Sequence, residues 1–349
     1  MVRRLDLASF FSRRWALFFL LIEIIVFSAG GKGFLSLNGI QIVLFYSTSL
    51  FLLATAETFV IVTGGIDLSV GYVMGFATIV SAKLVALFTR AGMTPGAALL
   101  FGVIFTLVIG TVPGLVSGVL VGRLRVPAFL ATFGVGGIAY GVSLLLAGGV
   151  AAKDVPSLAN EIGNGYLVYY TPGKGISLFA PPTESVGGVV EIIPTMVIVT
   201  ALFVLFAAYL LSRTRFGRHT YAIGGNMDAA VRAGINTARH LSFIYLLSGL
   251  FASLAGIIYM LEYVTGKADA GTGFLLDAIV CVAIGGASLY GGIGTIWGTA
   301  IGCFVLSVLE TGLRMMGVQT FDKFIAVGLI LVFAVLVDQF FPELVHKED

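Results

Sequence analysis

The stretch "TGGIDLSVG", residues 63–71, sets a carboxylate, Asp67, and a hydroxyl, Ser69, behind the glycine pair Gly64-Gly65. Long apolar runs flank it on both sides. Two chemistries suit these residue types at this spacing. Asp67 or Ser69 can accept the orphan N–H groups at the start of a helix, where a carboxylate also meets the positive end of the helix dipole. The same groups can line a polar solute route, because a broken helix end in a membrane is tolerated only where it faces a cavity or protein. The glycines let the backbone turn without a Cβ clash. Glu57 falls in the middle of the preceding run, where a charge costs ~2.5–3.5 kcal/mol on insertion scales. It should face protein or water, or carry a proton. A hydrogen bond to a neighbouring helix and a grip on polyol hydroxyls both fit it. Glu57, Gly64, Gly65, Asp67 and Ser69 are therefore the candidates for a solute path.

Other chemistries find less support. A phosphate-cradling loop needs G-x-x-x-x-G-K-[ST]. The three Gly-Lys pairs, Gly31-Lys32, Gly173-Lys174 and Gly266-Lys267, are not followed by Ser or Thr. The chain is thus expected to bind no ATP and no other cofactor. Further ionisable groups in or near apolar runs (Glu23, Lys83, Asp277, Glu310) make only a weak proton relay. Cys281 and Cys303 sit in apolar runs and read as small packing residues rather than a disulfide or metal site. Three scattered histidines give no metal cluster, and a net charge of +2 gives no field for nucleic acid.

A second candidate lies in "SRTRFGRHTYAIGGNMDAAVRAGINTARH", residues 212–240. Asn226 can cap a short helix with Asp228 in its first turn, then Ala229, Ala230 and Arg232, stopped by Gly234. A small-residue helix pinned between glycines can seat in another protein's groove. It can also be no more than an ordered turn.

The elements that must position these groups are membrane helices. Hydrophobic residues make up 58% of the 349, and charged residues 11%, against about 25% in soluble domains. No soluble fold of this length has the interior to hide so much apolar surface. The expected class is all-α: one polytopic helical domain over residues 1–349, with about ten spans. The runs are 13–29, 40–63, 68–88, 95–121, 127–147, 192–211, 241–261, 274–290, 293–309 and 324–341. The first is read as an uncleaved span rather than a signal peptide. Gly134, Gly136, Gly137 and Gly141 are expected to allow close helix approach. With both termini in the cytoplasm, twelve Lys and Arg fall on that side and seven on the other, including eleven of the thirteen arginines inside. Residues 148–191 then form an outward loop rich in Gly, Pro and Tyr, and residues 212–240 a basic cytoplasmic loop.

Four ordered motifs carry a resemblance. They are "VIVTGGIDLSVG" (60–71), "RVPAFLATFGVGGIAYGVSLLLAGG" (125–149), "RTRFGRHTYAIGGNMDAAVRAGIN" (213–236) and "LDAIVCVAIGGASLYGGIGTIWGTAIG" (276–302). Together they resemble the membrane permeases of ribose- and galactose-type sugar ABC importers, over roughly residues 38–340. The resemblance implies a non-enzymatic subunit of the bacterial cytoplasmic membrane. It implies a partner ATP-binding subunit that uses the ATP, an extracytoplasmic sugar-binding protein, and a second permease copy or close relative. It maps the ATPase contact onto Asn226, Asp228, Ala229, Ala230, Arg232 and Gly234. A sibling branch carries branched-chain amino acids, and the intact Gly64-Gly65-Ile66-Asp67-Leu68-Ser69 favours the sugar branch. Two features depart: Glu57 stands where the family has a small or apolar residue, and the loop 148–191 is long. From the residues alone, an ion-gradient-driven transporter or channel stands as the alternative.

Overall fold

The computed structural model describes residues 15–173, 175–179, 188–318, 321–322, 324–325, 328–329 and 332. The expected tenth span, 324–341, lies largely outside the described residues, as do Arg3, Arg4, Arg13, Arg14 and Lys347. Helices α1 (Trp15–Gly30), α2 (Leu37–Val62) and α3 (Val70–Arg90) match the first three apolar runs. The fourth run divides into α4 (Pro95–Gly110) and α5 (Val112–Gly122), because Pro113 removes a ladder N–H; together they form one bent span of 28 residues. Next come α6 (Ala128–Ala147), the short α7 (Leu158–Gly163), strands β1 (Tyr166–Thr171), β2 (Gly175–Leu178) and β3 (Val190–Pro194), and α8 (Thr195–Arg213). The chain continues with α9 (Arg215–Gly225), α10 (Met227–Arg232), α11 (Thr237–Tyr263), α12 (Thr272–Ile284) and α13 (Ile296–Met315). Among the described residues seven helices, with α4–α5 taken as one, are long and apolar enough to cross a membrane, and α1 and α12 are shorter apolar helices.

Starts and stops follow local chemistry. Ser36, Thr94, Asn236 and Thr295 are N-caps whose side chains accept N–H bonds from Gly39, Ala97, Arg239 and Gly298. Pro95 opens α4, and Gly148 at φ +68° ends α6.

The all-α expectation needs one correction. The described residues of the loop 148–191, with the start of the next run, fold into a three-stranded antiparallel sheet in the order β2-β1-β3. Its strands, "YLVYYT" and "VEIIP" among them, are β-branched and aromatic, so sheet pairing suits them where the Gly and Pro content alone suggested irregular loop.

Burial sorts the helices into two shells. In α3 78% of the spanning window is buried and in α11 72%, whereas α4–α5 reach only 28% and α6 and α8 33% each. The inner helices carry many hydroxyls. Thr58 of α2 bonds Thr299 of α13 at 2.7 Å, and Ser253 returns its proton to the Gly249 carbonyl.

Close approach falls on a seam not singled out in the sequence. Gly114, Gly118 and Gly122, one per turn of α5, meet Gly249, Ser242 and Ala238 of α11; a Cβ on any of the three would lie within 2.6 Å of backbone oxygen. Of the glycines expected to do this, only Gly136 does, against Tyr72 and Ser69. Gly134, Gly137 and Gly141 face open space, because they lie on the outer side of α6.

The eighth run also differs from expectation. Helix α12 has 13 residues, about 20 Å of rise against the ~30 Å of a bilayer core. Residues 264–271 precede it as non-helical chain laid on α3. Gly71 and Gly271 touch backbone to backbone, and Thr78 Oγ1 both accepts from Lys267 N–H and donates to Lys267 C=O, each at 2.8 Å. Irregular backbone at such a place needs internal partners of this kind.

Candidate functional site

Helix α2 stops because Gly64, at φ +80°, turns the chain back, with Gly64 N–H on Ile61 C=O and Gly65 N–H on Val60 C=O. A side chain at Gly64 would cost about 1–2 kcal/mol in that left-handed conformation. Gly65 is small for a different reason: its Cβ would sit 2.6 Å from the Tyr245 hydroxyl of α11.

Three residues on, Asp67 is fully buried. Its Oδ1 accepts from the backbone N–H (2.9 Å) and the hydroxyl of Ser69, and its Oδ2 accepts from Ser248 Oγ of α11 at 2.7 Å. Ser69 occupies the N-cap position of α3 but makes no capping bond with its side chain. Asp67, two residues earlier, instead holds the N–H of Ser69 itself, closing an Asx-type turn that leads into α3, and the same carboxylate ties the turn to α11. Glu57, also fully buried, accepts the Asp67 N–H at 3.4 Å through Oε2, while its Oε1 has no hydrogen-bond partner among the described residues. Thr132 of α6 accepts the Leu68 N–H at 3.0 Å. One six-residue turn is thus held by α2, α6 and α11.

The second candidate forms as the spacing suggests. Asn226 Oδ1 accepts the Ala229 N–H at 2.8 Å, α10 carries Asp228 in its first turn, and Gly234 takes φ +83°. Met227, Asp228, Ala229 and Val231 are exposed; Ala230 is only 3% exposed and packs on Ile223 and Leu241 of its own chain.

The two candidate sets meet. A cavity of about 370 Å³ is lined by Gly64, Gly65, Arg125, Asp228 and Tyr245, among others. Glu57, Asp67 and Ser69 are not on its wall but form the buried knot behind it. Beside the cavity three glycine corners stack. Val62 C=O accepts the Gly292 N–H at 2.9 Å; a Cβ on Gly224 would fall 1.8 Å from Val62 C=O, and one on Gly291 would fall 2.8 Å from Gly64 N. Tyr221 adds a 2.6 Å bond to the Gly294 carbonyl. Helix α9, which leads into α10, is therefore in backbone contact with both the α2–α3 and the α12–α13 turns.

Ser248, Tyr245, Thr132 and Gly224 escaped the sequence reading. Ser248 is a hydroxyl in an apolar run and could have been flagged as such, but its partner is 181 residues away in sequence. The histidines are less scattered than their spacing suggests. His219 and His240 lie 5.9 Å apart, ring centre to ring centre, and His240 Nε2 is 2.9 Å from Thr220 Oγ1. Among the described residues no group of His, Cys, Asp and Glu is arranged to hold a metal ion. Cys281 and Cys303 are buried free thiols.

Fold and site together define a multi-pass helical membrane protein whose buried polar groups knit turns to helices. A family described as branched-chain amino acid transport system / permease component matches residues 39–337, and the chain belongs to it. The ribose import permease protein RbsC of Escherichia coli (strain K12) is 34% identical over 339 residues, covering 94% of this chain and 96% of its own. The fructose import permease protein FrcC of Rhizobium meliloti is 32% identical, covering 92% of this chain and 83% of its own. The galactose/methyl galactoside import permease protein MglC of Salmonella typhimurium is 32% identical, with 91% and 90% covered. No solved structure matches the chain.

Proposed function

We propose that this chain is the membrane-spanning subunit of an ATP-driven importer for a monosaccharide or related polyol. The observation that carries the reading is chain-long similarity to permeases named for ribose, fructose, galactose and D-allose import. In this reading a separate ATPase subunit docks on α10 through Met227, Asp228, Ala229 and Val231. A sugar-binding protein delivers solute at the opposite face, and a second permease copy or relative completes the path in a bacterial cytoplasmic membrane.

The glycine junction supplies a physical route for coupling. A displacement of α10 moves α9, and Gly224 bears directly on Val62. The α2–α3 turn must then shift against Asp67, Ser248 and Thr132. Packed backbone leaves no slack to absorb the motion. Gly64 and Gly65 would border the route, with Glu57, Asp67 and Ser69 holding the turn in shape.

The test is reconstitution in liposomes. The chain alone should neither hydrolyse ATP nor take up sugar; adding an ATP-binding subunit and a sugar-binding protein of the same importer should give ATP-dependent uptake of a pentose or hexose. Hydrolysis by the isolated chain, or uptake by it driven by a proton or sodium gradient, would overturn the reading.

A further inference from the structure

A groove of about 370 Å³ runs between the ends of α5 and α11, lined by Leu115, Arg123, Arg239, Phe243 and Leu246 among others. The small-residue seam creates it. Gly118 and Gly122 meet Ser242 and Ala238 so closely that no large side chain stands between the two helices. Arg123 and Arg239 flank the mouth, and among the described residues neither has a carboxylate within 4.0 Å. The Arg239 guanidinium lies 5.7 Å from the centre of the Phe243 ring, which holds it over the groove. Deeper along the helices the groove turns apolar: Leu115 is 45% exposed and Phe243 46%. Leu115 and Val116 leave this side of α5 exposed. The usual excess of basic residues at one membrane face accounts for two arginines at this level. It does not account for a cleft between them that continues into an apolar floor.

We propose that this groove binds an anionic phospholipid. The headgroup phosphate sits between Arg123 and Arg239, whose planar forks suit phosphate oxygens, and an acyl chain lies along Leu115, Phe243 and Leu246. The pairing sets one phosphodiester charge between two arginines and fills a cleft that the small-residue seam leaves open. The site is independent of the transported solute.

Native mass spectrometry of the full chain in detergent tests this, with phosphatidylglycerol and phosphatidylcholine as probes. Phosphatidylglycerol should remain bound at detergent concentrations that strip phosphatidylcholine. The Arg123→Gln, Arg239→Gln double variant should bind it about thirtyfold more weakly, about fivefold per arginine. Arg213→Gln, an exposed arginine outside the groove, should bind as wild type. The Arg123→Lys, Arg239→Lys variant should keep most of the binding, which separates lost charge from lost folding. Equal retention of the two lipids, or unchanged binding by the Gln double variant, would overturn the proposal. Displacement by excess inorganic phosphate would reassign the groove to a free anion. A doubled mass without bound lipid, lost in the Gln variant, would reassign it to a second copy of the chain.

Discussion

At the scale of single residues, Asp67 does two things at once. It closes the turn into α3 through the Ser69 N–H and anchors that turn to α11 through Ser248. An asparagine can keep both, because its oxygen accepts from the Ser69 N–H and its amide can donate to the Ser248 hydroxyl. Asp67→Asn should therefore unfold near the wild-type temperature and retain most uptake per assembled complex. Asp67→Ala strands three buried donors, the Ser69 N–H and hydroxyl and the Ser248 hydroxyl, and should cost about 1–3 kcal/mol, measured by thermal unfolding in detergent. Complete loss of uptake in Asp67→Asn, with assembly intact, would mean that the charge itself is used by solute or gate. Glu57 adds to the same knot from below, so its effects and those of Asp67 should not be additive.

Elements show a sharper division than their composition suggests. The helix α10 offers one face outward and keeps one for its own chain. Ala229→Trp should leave stability within about 0.5 kcal/mol, as exposed substitutions usually do, yet block co-purification of the ATPase. Ala230→Leu, at a position 3% exposed, should instead lower stability by about 1–3 kcal/mol through overpacking. If the two substitutions behave alike, the outward face is misassigned. The α5–α11 seam makes a similar contrast. A Cβ on Gly118 would meet the Ser242 carbonyl at 2.6 Å, whereas one on Gly137 meets nothing within 4 Å. Gly118→Ala should lower the unfolding temperature in detergent. Gly137→Ala should hold or raise it, since alanine gains roughly 0.5–1 kcal/mol over glycine in a helix.

On the scale of the whole molecule, the contact between α9 and the two glycine turns links the helix α10 to the buried knot. Gly224→Ala would put a methyl 1.8 Å from the Val62 carbonyl. The turn and α9 must then separate. The expected result is an assembled complex that hydrolyses ATP but transports poorly, read as the ratio of sugar taken up to ATP consumed. An unchanged ratio would show that coupling takes another path. The half-length α12 belongs to this scale too, since the chain before it, residues 264–271, is held on α3 by Gly71 and Thr78.

The sequence by itself determined the medium, the helix-forming runs and the chemistry of the turns. Apolar runs long enough for a bilayer can be satisfied only by helices, and Gly64, Asn226 and Gly234 announce local backbone states that need no tertiary partner. What the tertiary structure alone decided is partnership. Asp67 found Ser248 and Ser69 rather than a cap on α3 alone. Ala230 turned inward while Ala229 stayed out, and the seam fell on Gly114, Gly118 and Gly122 rather than on Gly134, Gly137 and Gly141. The reason is geometric. In a uniformly apolar helix every face has much the same hydrophobicity, so no periodicity marks the inward one, and small residues reveal which face is packed only when a second helix lies against it.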